Sequence, residues 1–321
     1  MTPGTHPPRR LGGAIVAVVA MVCGVLLATP AIANAGPPDH AKACSTPKPV
    51  AAGTTSATFE FNGAVRSYQL DIPKSYNGRH KAPVVVNLHG TGSTPQRQND
   101  QTRMPELAGG RGYVVVAPAA AGSFGWNIVP AFSGVTTPGV PTPPVPTGED
   151  VGFVNALMDH LESELCLDTS REYITGMSSG AGMATWIVCQ PDSRFAAAAP
   201  VAGLNMGIGC PSATLPPFIT FHGDNDNAMP YEGQRIFNIP LPVPSIDTRA
   251  TDFALRQGCQ AEPRTTTLGP VVEHKVWKCP PGAAAEVYKI LGGGHVWPGS
   301  GDNDTIDATR VMLSFFASHK L

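Results

Sequence analysis

Charged residues are scarce in this sequence of 321 residues. Asp, Glu, Lys and Arg make up 14% of it, whereas an average soluble domain contains about 25%. The formal net charge is −2 and no cluster of basic residues occurs, so a nucleic acid partner is not expected. Low charge with 42% hydrophobic residues also fits poorly with a coiled coil, a disordered tail or a multi-span membrane protein. The composition is that of a globular chain with a buried core.

The N-terminus has the features of a secretory signal peptide. Two arginines precede an uncharged apolar stretch over residues 11–28, and small residues alternate at positions 31–35. This order of basic, apolar and small-residue segments is typical of a cleaved leader. A membrane anchor is the alternative, since the apolar stretch is just long enough to span a bilayer. A proline and two overlapping Ala-x-Ala sites favour cleavage, after Ala35 or after Ala33. We therefore predict a signal peptide over residues 1–35 and a secreted, extracellular mature protein.

Six cysteines remain after the predicted leader. An even number of cysteines in an exported chain favours disulfides. A zinc site is the alternative, but it lacks a Cys-x-x-Cys pair and a histidine pair at ligand spacing. We therefore expect neither a metal nor a cofactor. Sequential pairing predicts Cys189–Cys210 and Cys259–Cys279, which leaves Cys44 to pair with Cys166.

The body of the chain alternates between strand and helix patterns. Residues 56–73 alternate apolar and polar side chains around Asn62-Gly63, which predicts a β-hairpin. Short continuous apolar runs, typical of strands buried on both faces, then alternate with helical segments. The sequence therefore predicts an α/β fold, with a mostly parallel central sheet, helices on both faces and an N-terminal antiparallel hairpin. The predicted strands are 84–88, 113–117, 173–175, 197–201, 218–221 and 287–291, and the main predicted helices are 150–165, 180–189, 246–257 and 306–319.

A single catalytic domain is predicted for residues 36–321, because no long linker or internal repeat divides them. The proline-rich stretch at 138–146 is interpreted as an extended loop within that domain. Asp150 begins the helix that follows and is interpreted as its N-cap. We expect the mature protein to be a monomer without membrane association.

The segment Gly-Met-Ser-Ser-Gly at 176–180 is a G-x-S-x-G motif. The string alone is weak evidence, but a strand pattern leads into it and a glycine- and alanine-rich helix pattern leads out. Strand, tight turn and helix form the setting of a nucleophile elbow, and the small residues let the helix pack close to the sheet. Ser178 is therefore the predicted nucleophile, with its hydroxyl above the sheet near the positive end of the following helix.

A serine nucleophile needs a base, and the base needs an orienting carboxylate. On this fold the chain order is serine, acid, histidine, with the last two on loops at the carboxyl ends of strands. Asp224 and Asp226 both follow the predicted strand 218–221, and spacing gives only a slight preference for Asp226. Among the later histidines, His295 alone follows a predicted strand through a triple glycine, the mark of a loop tip. We predict His295 as the base.

The oxyanion of an ester hydrolysis needs preorganised N–H donors. The backbone of Ser179, the residue after the nucleophile, is one predicted donor, and Thr91 in the loop after the third strand is the other. Gly92 is a close alternative to Thr91. A phosphate-binding loop is the competing interpretation of these glycines, but no Gly-Lys-Ser/Thr follows. His89 and His222 each precede a glycine at a strand end and are interpreted as structural hydrogen-bonding groups.

These motifs resemble those of secreted poly(3-hydroxybutyrate) depolymerases and feruloyl esterases, in order and over nearly the whole predicted mature chain. The resemblance implies an α/β-hydrolase fold and ester hydrolysis. It also implies that Asp226 is the acid and that Trp297 belongs to the substrate cleft, where an aromatic face would flank the acyl group. The elbow departs slightly, with Ser-Gly-Ala at 179–181 where relatives often carry Asn-Gly-Gly. The segments that carry the resemblance are 87–90 (NLHG), 149–153 (EDVGF), 173–182, 195–203 (FAAAAPVAG), 221–231 and 292–299 (GGGHVWPG).

We accordingly expect a serine esterase that acts through an acyl-enzyme on poly(3-hydroxybutyrate)-type polyester or its oligomers, or alternatively on feruloyl or acetyl-xylan esters of plant cell walls. Since the sequence ends soon after its last predicted helix, soluble or amorphous substrates are favoured over crystalline polymer. An acyltransferase and a non-catalytic binding protein are the alternatives of other classes. Trp126 and Tyr231 are further candidates for the substrate cleft, although each aromatic side chain fits a core position equally well.

Overall fold

The computed structural model of the protein describes residues 1–2, 44–121, 125–126, 149–206, 210–235, 242–301 and 306–321. The chain divides into two compact units, Met1–Asn34 and Ala35–Leu321, and all helices and strands described below belong to the second. Apart from Met1 and Thr2, the predicted leader lies outside the described residues, as does the proline-rich stretch at 138–146.

Ten strands of the described chain form one sheet, in the order β1-β2-β4-β3-β5-β6-β7-β12-β11-β10. The six strands from β4 to β12 in this order pair in parallel, whereas β1, β2, β11 and β10 pair antiparallel at the two sides. These six parallel strands are the six predicted from continuous apolar runs, and the predicted fold class is confirmed. The strands are β1 Gly53–Phe61, β2 Ala64–Ile72, β3 Ala82–Leu88, β4 Val114–Pro118, β5 Leu167–Met177, β6 Ala197–Val201, β7 Phe218–Gly223, β10 Arg264–Leu268, β11 Val272–Val276 and β12 Ala285–Ile290, with a separate short pair of β8 Gln234–Arg235 and β9 Pro242–Val243.

Helices cover both faces of the sheet. In β3, Val84 and Val86 pack in a core with residues of α3 and α4, whereas Val85 packs in a second core with residues of α2 and α6. Successive residues of a strand point to opposite faces, so these two cores lie on opposite sides. The helices are α1 Pro95–Thr102, α2 Met104–Gly109, α3 Glu149–Glu164, α4 Ser179–Val188, α5 Ile246–Arg256 and α6 Ala308–Ala317.

The predicted hairpin is present as β1 and β2, joined by Asn62 and Gly63. Their φ angles of 50° and 75° are both positive, as a two-residue type I′ turn requires. Asn-Gly is the dipeptide that adopts this turn most readily, so the local sequence sets the register in which Phe61 pairs with Ala64.

Three disulfides join the pairs that were predicted. They are Cys44–Cys166, Cys189–Cys210 and Cys259–Cys279. The first joins Cys44, where the second described range begins, to Cys166 just after α3. Near the same end of α3, the Lys48 ammonium donates hydrogen bonds to the backbone carbonyls of Glu162 and Ser163 at 2.8 and 2.7 Å. No helix among the described residues is both long enough and apolar enough to cross a bilayer.

One predicted local role is wrong. Asp150 was expected to cap α3 from outside, but the helix already includes Glu149. The Asp150 carboxylate instead pairs with the buried Arg66 guanidinium at 2.7 Å, which lies 3.8 Å from the centre of the Phe153 ring. A buried charge needs a partner, so a long-range ion pair replaces the expected helix cap.

Candidate active site

Ser178 lies in the tight turn between β5 and α4, as predicted. Its φ of 56° and ψ of −120° are rare for a residue with a side chain, and such backbone strain is concentrated at functional sites. Two backbone hydrogen bonds hold the turn: Ser178 N–H donates to Val201 at 3.0 Å, and Gly182 N–H donates to Ser178 at 2.9 Å. The turn is therefore a nucleophile elbow in both conformation and position.

The glycines around Ser178 let α4 approach the sheet closely. A Cβ atom at Gly180 would lie 2.3 Å from the Leu88 carbonyl oxygen, and one at Gly176 would lie 2.6 Å from the Gly180 carbonyl. Sequence reasoning missed a third position, Gly203, where a Cβ would lie 2.5 Å from the Ser178 carbonyl oxygen. The signal for it was the glycine directly after the apolar run of β6. Backbone packing on two sides thus fixes the elbow.

The predicted acid and base are in contact. His295 donates from Nδ1 to Oδ2 of Asp226 at 2.7 Å, and the imidazole is partly exposed while the carboxylate is fully buried. The other carboxylate oxygen of Asp226 accepts from the backbone N–H groups of Ala228 and Met229 at 2.9 and 2.7 Å. An Nδ1–H held in this way leaves Nε2 of His295 as the free basic nitrogen.

Hydrogen bonds keep the Asp226 carboxylate ionised. Burial alone would raise its pKa, but the hydrogen bonds from His222, His295 and the Met229 N–H outweigh burial and hold the pKa well below its ordinary value. A carboxylate that stays charged can fix the imidazole orientation and stabilise an imidazolium, which are the functions of the acid in a catalytic triad.

His222 and His89 are structural, as predicted. His222 is fully buried, and its Nε2 lies 2.6 Å from the Met229 carbonyl oxygen and 3.4 Å from Asp226 Oδ2. Both of these atoms accept, so Nε2 carries the proton. His89 has the opposite tautomer, because its Nε2 accepts from the Ala120 N–H at 3.1 Å and its Nδ1 donates to the Gly90 carbonyl at 2.8 Å. Burial lowers the pKa of His89, which favours the neutral ring in this role.

The two residues that carry the predicted oxyanion donors both lie close to Gly125. A Cβ atom on Gly125 would be 3.0 Å from Ser179 Oγ, 3.3 Å from Thr91 Cα and 3.7 Å from the Thr91 backbone nitrogen. The Thr91 loop also lies beside the nucleophile, since a Cβ on Gly90 would be 3.4 Å from Ser178 Cβ. The structure therefore brings Thr91 and Ser179 together next to Ser178. Sequence reasoning missed Gly125, because only the folded chain shows what its absent side chain would touch.

The three aromatic residues expected in the substrate cleft lie in the interior. Trp297, Trp126 and Tyr231 are 1%, 5% and 1% exposed. Their polar atoms donate to internal partners: Trp297 Nε1 to Thr309 at 3.0 Å, Trp126 Nε1 to the His89 carbonyl at 2.8 Å and Tyr231 OH to Asp247 at 2.7 Å. The structure therefore places all three rings in the interior, with their polar groups bonded to internal partners.

Within the described ranges, no group of His, Cys, Asp and Glu side chains is arranged to hold a metal ion. The described residues include a serine on a tight turn beside the Thr91 loop and a hydrogen-bonded pair of His295 and Asp226. On a mostly parallel sheet with helices on both faces, this arrangement defines the α/β-hydrolase class.

Comparison with known proteins finds similarity to esterases over part of the chain. Residues 66–214 match the family described as "Esterase PHB depolymerase"; Thr91 and Ser178 fall inside this region, whereas Asp226 and His295 lie beyond it. Feruloyl esterase B of Piromyces equi is 28% identical over 242 residues, which cover 72% of this chain and 42% of that protein. Probable feruloyl esterase C of Aspergillus niger is 29% identical over 175 residues, covering 54% and 59%. The chain therefore spans about half the length of these curated relatives.

A solved structure shares the fold. Acetyl xylan esterase from Aspergillus awamori superposes with a TM-score of 0.57 at 17% identity, over 75% of this chain and 94% of that chain. Over residues 66–214 the chain thus resembles the esterase family named above, and over most of its length it shares the fold of this acetyl xylan esterase.

Proposed function

We propose that the protein is an extracellular serine esterase that forms an acyl-enzyme on Ser178. The observation that carries the proposal is the 2.7 Å hydrogen bond between His295 and Asp226 on a fold whose elbow presents Ser178. A histidine with Nδ1–H bound to a carboxylate can accept a proton at Nε2. We infer that Ser178 supplies this proton, because its strained turn is typical of a nucleophile.

The reaction follows from these positions. The Ser178 oxygen attacks the ester carbonyl carbon while its proton passes to Nε2 of His295, and Asp226 stabilises the imidazolium. The backbone N–H groups of Thr91 and Ser179 bind the resulting oxyanion. Collapse of the tetrahedral intermediate releases the alcohol, which takes the proton from His295. Water then repeats the sequence on the acyl-enzyme, releasing the acid and restoring Ser178.

Esters of plant cell-wall polysaccharides are the substrate class we propose first. The curated relatives described above are named as feruloyl esterases, and these names favour aromatic acyl esters. A second candidate, oligomers of 3-hydroxybutyrate, is favoured by the description of the family that matches residues 66–214. The order of preference drawn from the sequence, with polyester first, is therefore reversed.

A hydrolysis panel tests both the chemistry and the substrate class. Purified protein is assayed on methyl ferulate, acetylated xylan and 3-hydroxybutyrate oligomers, with Ser178→Ala as the matched control on every substrate. We expect turnover of methyl ferulate or acetylated xylan above that of the oligomers, and no turnover by the variant. Preferred cleavage of the oligomers would select the second candidate. An active Ser178→Ala variant, or failure of the protein to react with a fluorophosphonate at Ser178, would contradict the serine mechanism.

The two alternative classes are tested in the same assays. Added acceptor alcohols would give new esters, identified by mass spectrometry, if the protein were an acyltransferase. A non-catalytic binding protein would give neither products nor fluorophosphonate labelling.

The extracellular location rests on the three disulfides, which are typical of oxidising compartments. Expression in a secreting host should yield a mature chain starting near Gly36, as determined by mass spectrometry of the N-terminal peptide.

A further inference from the structure

The side chain of Ser179 has a buried hydroxyl without a partner. Ser179 is 4% exposed, and its Oγ has no hydrogen-bond partner among the described residues. Buried hydroxyl groups nearly always have a partner in folded proteins, so an orphan at this position needs an explanation. Ser179 directly follows the nucleophile and begins α4, so the orphan hydroxyl lies at the proposed reaction site rather than in a remote part of the core.

The surroundings of this hydroxyl are those of the oxyanion hole. Ser179 Oγ and the Thr91 backbone nitrogen lie 3.0 and 3.7 Å from one common point, the position that a Cβ atom on Gly125 would occupy. The backbone N–H groups of Ser179 and Thr91 are the two donors proposed above. The start of α4 adds the positive end of a helix dipole to the same region. The orphan hydroxyl thus lies in the same region as the two N–H donors proposed for the oxyanion.

Gly125 keeps the space beside the hydroxyl clear. Its φ of 113° is one that residues with side chains rarely adopt, and a side chain there would press against both Ser179 Oγ and Thr91. The chain thus carries, at the position facing the orphan hydroxyl, the residue with the smallest volume. Without a side chain at Gly125, this residue does not screen Ser179 Oγ from a bound ester, and an ester oxygen would give the hydroxyl the partner that it lacks.

We propose that the Ser179 hydroxyl is a third hydrogen-bond donor to the oxyanion, beside the N–H groups of Ser179 and Thr91. The inference rests on the proposed esterase function and adds a catalytic role for this side chain. A hydroxyl donates more strongly to a charged oxygen than to a neutral carbonyl, so its contribution grows as the transition state forms. Its loss should therefore lower kcat and leave KM nearly unchanged.

The test compares Ser179→Ala with a variant that removes a similar hydroxyl elsewhere. Thr185 lies on the same helix, is 3% exposed and also has a buried hydroxyl without a partner among the described residues. We expect Ser179→Ala to lower kcat on p-nitrophenyl butyrate by about 10²-fold, the effect of losing one oxyanion donor. Its affinity for a trifluoromethyl ketone, which forms a tetrahedral oxyanion adduct with Ser178, should fall by a similar factor. Thr185→Val should keep both values.

Ser179→Thr distinguishes a lost hydroxyl from altered packing, because it keeps the hydroxyl group and adds a methyl group. It should recover most of the activity that Ser179→Ala loses. Equal losses in both variants would assign the effect to packing and overturn the inference. So would an unchanged kcat in Ser179→Ala, or a raised KM with normal kcat, since the latter indicates a contact with the neutral substrate. In these cases an inactive Ser178→Ala variant would still support the esterase function, whereas an active one would overturn that function itself.

Discussion

The carboxylate of Asp224 accepts a hydrogen bond from the backbone N–H of Gly292 at 2.6 Å. This bond joins the loop that bears Asp226 to the loop that bears His295. A second bond between the same loops runs from the Asn225 N–H to the Gly293 carbonyl at 2.9 Å. The two acids that the sequence left nearly equivalent therefore have different roles: Asp224 holds the loops together, and Asp226 binds the imidazole.

The different roles of the two acids predict different effects of the same substitution. Asp226→Asn removes the charge that orients and stabilises the His295 ring, so kcat on p-nitrophenyl butyrate should fall by about 10⁴-fold, as it does for the equivalent change in serine proteases. Asp224→Asn keeps a side-chain oxygen that can accept from the Gly292 N–H, so the link between the two loops is preserved. We therefore expect kcat and KM within about 3-fold of those of the parent protein. A larger loss of kcat in Asp224→Asn than in Asp226→Asn would contradict the assignment of Asp226 as the acid of the triad.

The lowered pKa of Asp226 predicts how the stability depends on pH. Folding lowers this pKa from its ordinary value of 3.8, so the ionised carboxylate stabilises the folded state above that value. The contribution is lost as the pH falls from 3.8 through the lower pKa of the folded state. In urea unfolding, the difference in free energy between the parent protein and Asp226→Asn should thus be larger at pH 6 than at pH 2.5. A difference that grows on acidification would contradict the assignment.

The disulfides should differ in what they contribute to stability. Cys44–Cys166 closes a loop with a sequence separation of 122, whereas Cys259–Cys279 closes one of 20. In the chain-entropy account, a loop of about 100 residues contributes about 5 kcal/mol and a short one about 3 kcal/mol. Replacing both cysteines of a pair by serine should therefore lower the free energy of unfolding more for Cys44–Cys166. Urea titrations of the two double variants measure the order, and an inverted order would contradict the prediction.

Two glycines of the fold should respond oppositely to alanine. At Gly180 the added methyl group would lie 2.3 Å from the Leu88 carbonyl oxygen, so Gly180→Ala must push α4 off the sheet and displace Ser178. We expect loss of activity together with a lowered melting temperature. At Gly109 the nearest atom would be 3.9 Å away, so Gly109→Ala should retain activity and raise stability by about 0.4–1 kcal/mol. Thermal unfolding and p-nitrophenyl butyrate turnover measure both effects, and a fully active Gly180→Ala variant would refute the close packing.

The sequence predicts the parts of this fold that are built from apolar patterns and short motifs. The parallel strands are continuous apolar runs, and the elbow is a local string between a strand and a helix. Helix α1 was missed because its buried residues are polar: Gln98 donates to Asn87 at 3.0 Å, and Asn87 donates to Asn99 and Thr102 at 3.0 and 3.1 Å. No hydrophobic periodicity reveals a helix whose inner face is held by side-chain amides.

The sequence also does not predict features that depend on contacts between distant parts of the chain. Trp297 lies two residues from His295, yet its ring packs into the core against α6 while the imidazole stays partly exposed. The hairpin of β10 and β11 was missed because its strands, RTTTL and VEHKV, are mostly exposed or half-buried and lack an apolar face. The burial of aromatic rings is set by which elements pack over them, and that information is not local.

The backbone of Gly223, at the end of β7, lies so close to the loop after β12 that a Cβ on it would be 2.1 Å from the Gly293 oxygen. These two strands are adjacent in the sheet and pair in parallel, so the sheet itself holds the loops of Asp226 and His295 side by side. We therefore expect heat to abolish the activity through unfolding of the sheet rather than through local unfolding of these two loops. The half-life of the activity on heating should therefore follow the rate of global unfolding, so the durability of the activity is a property of the sheet rather than of the site.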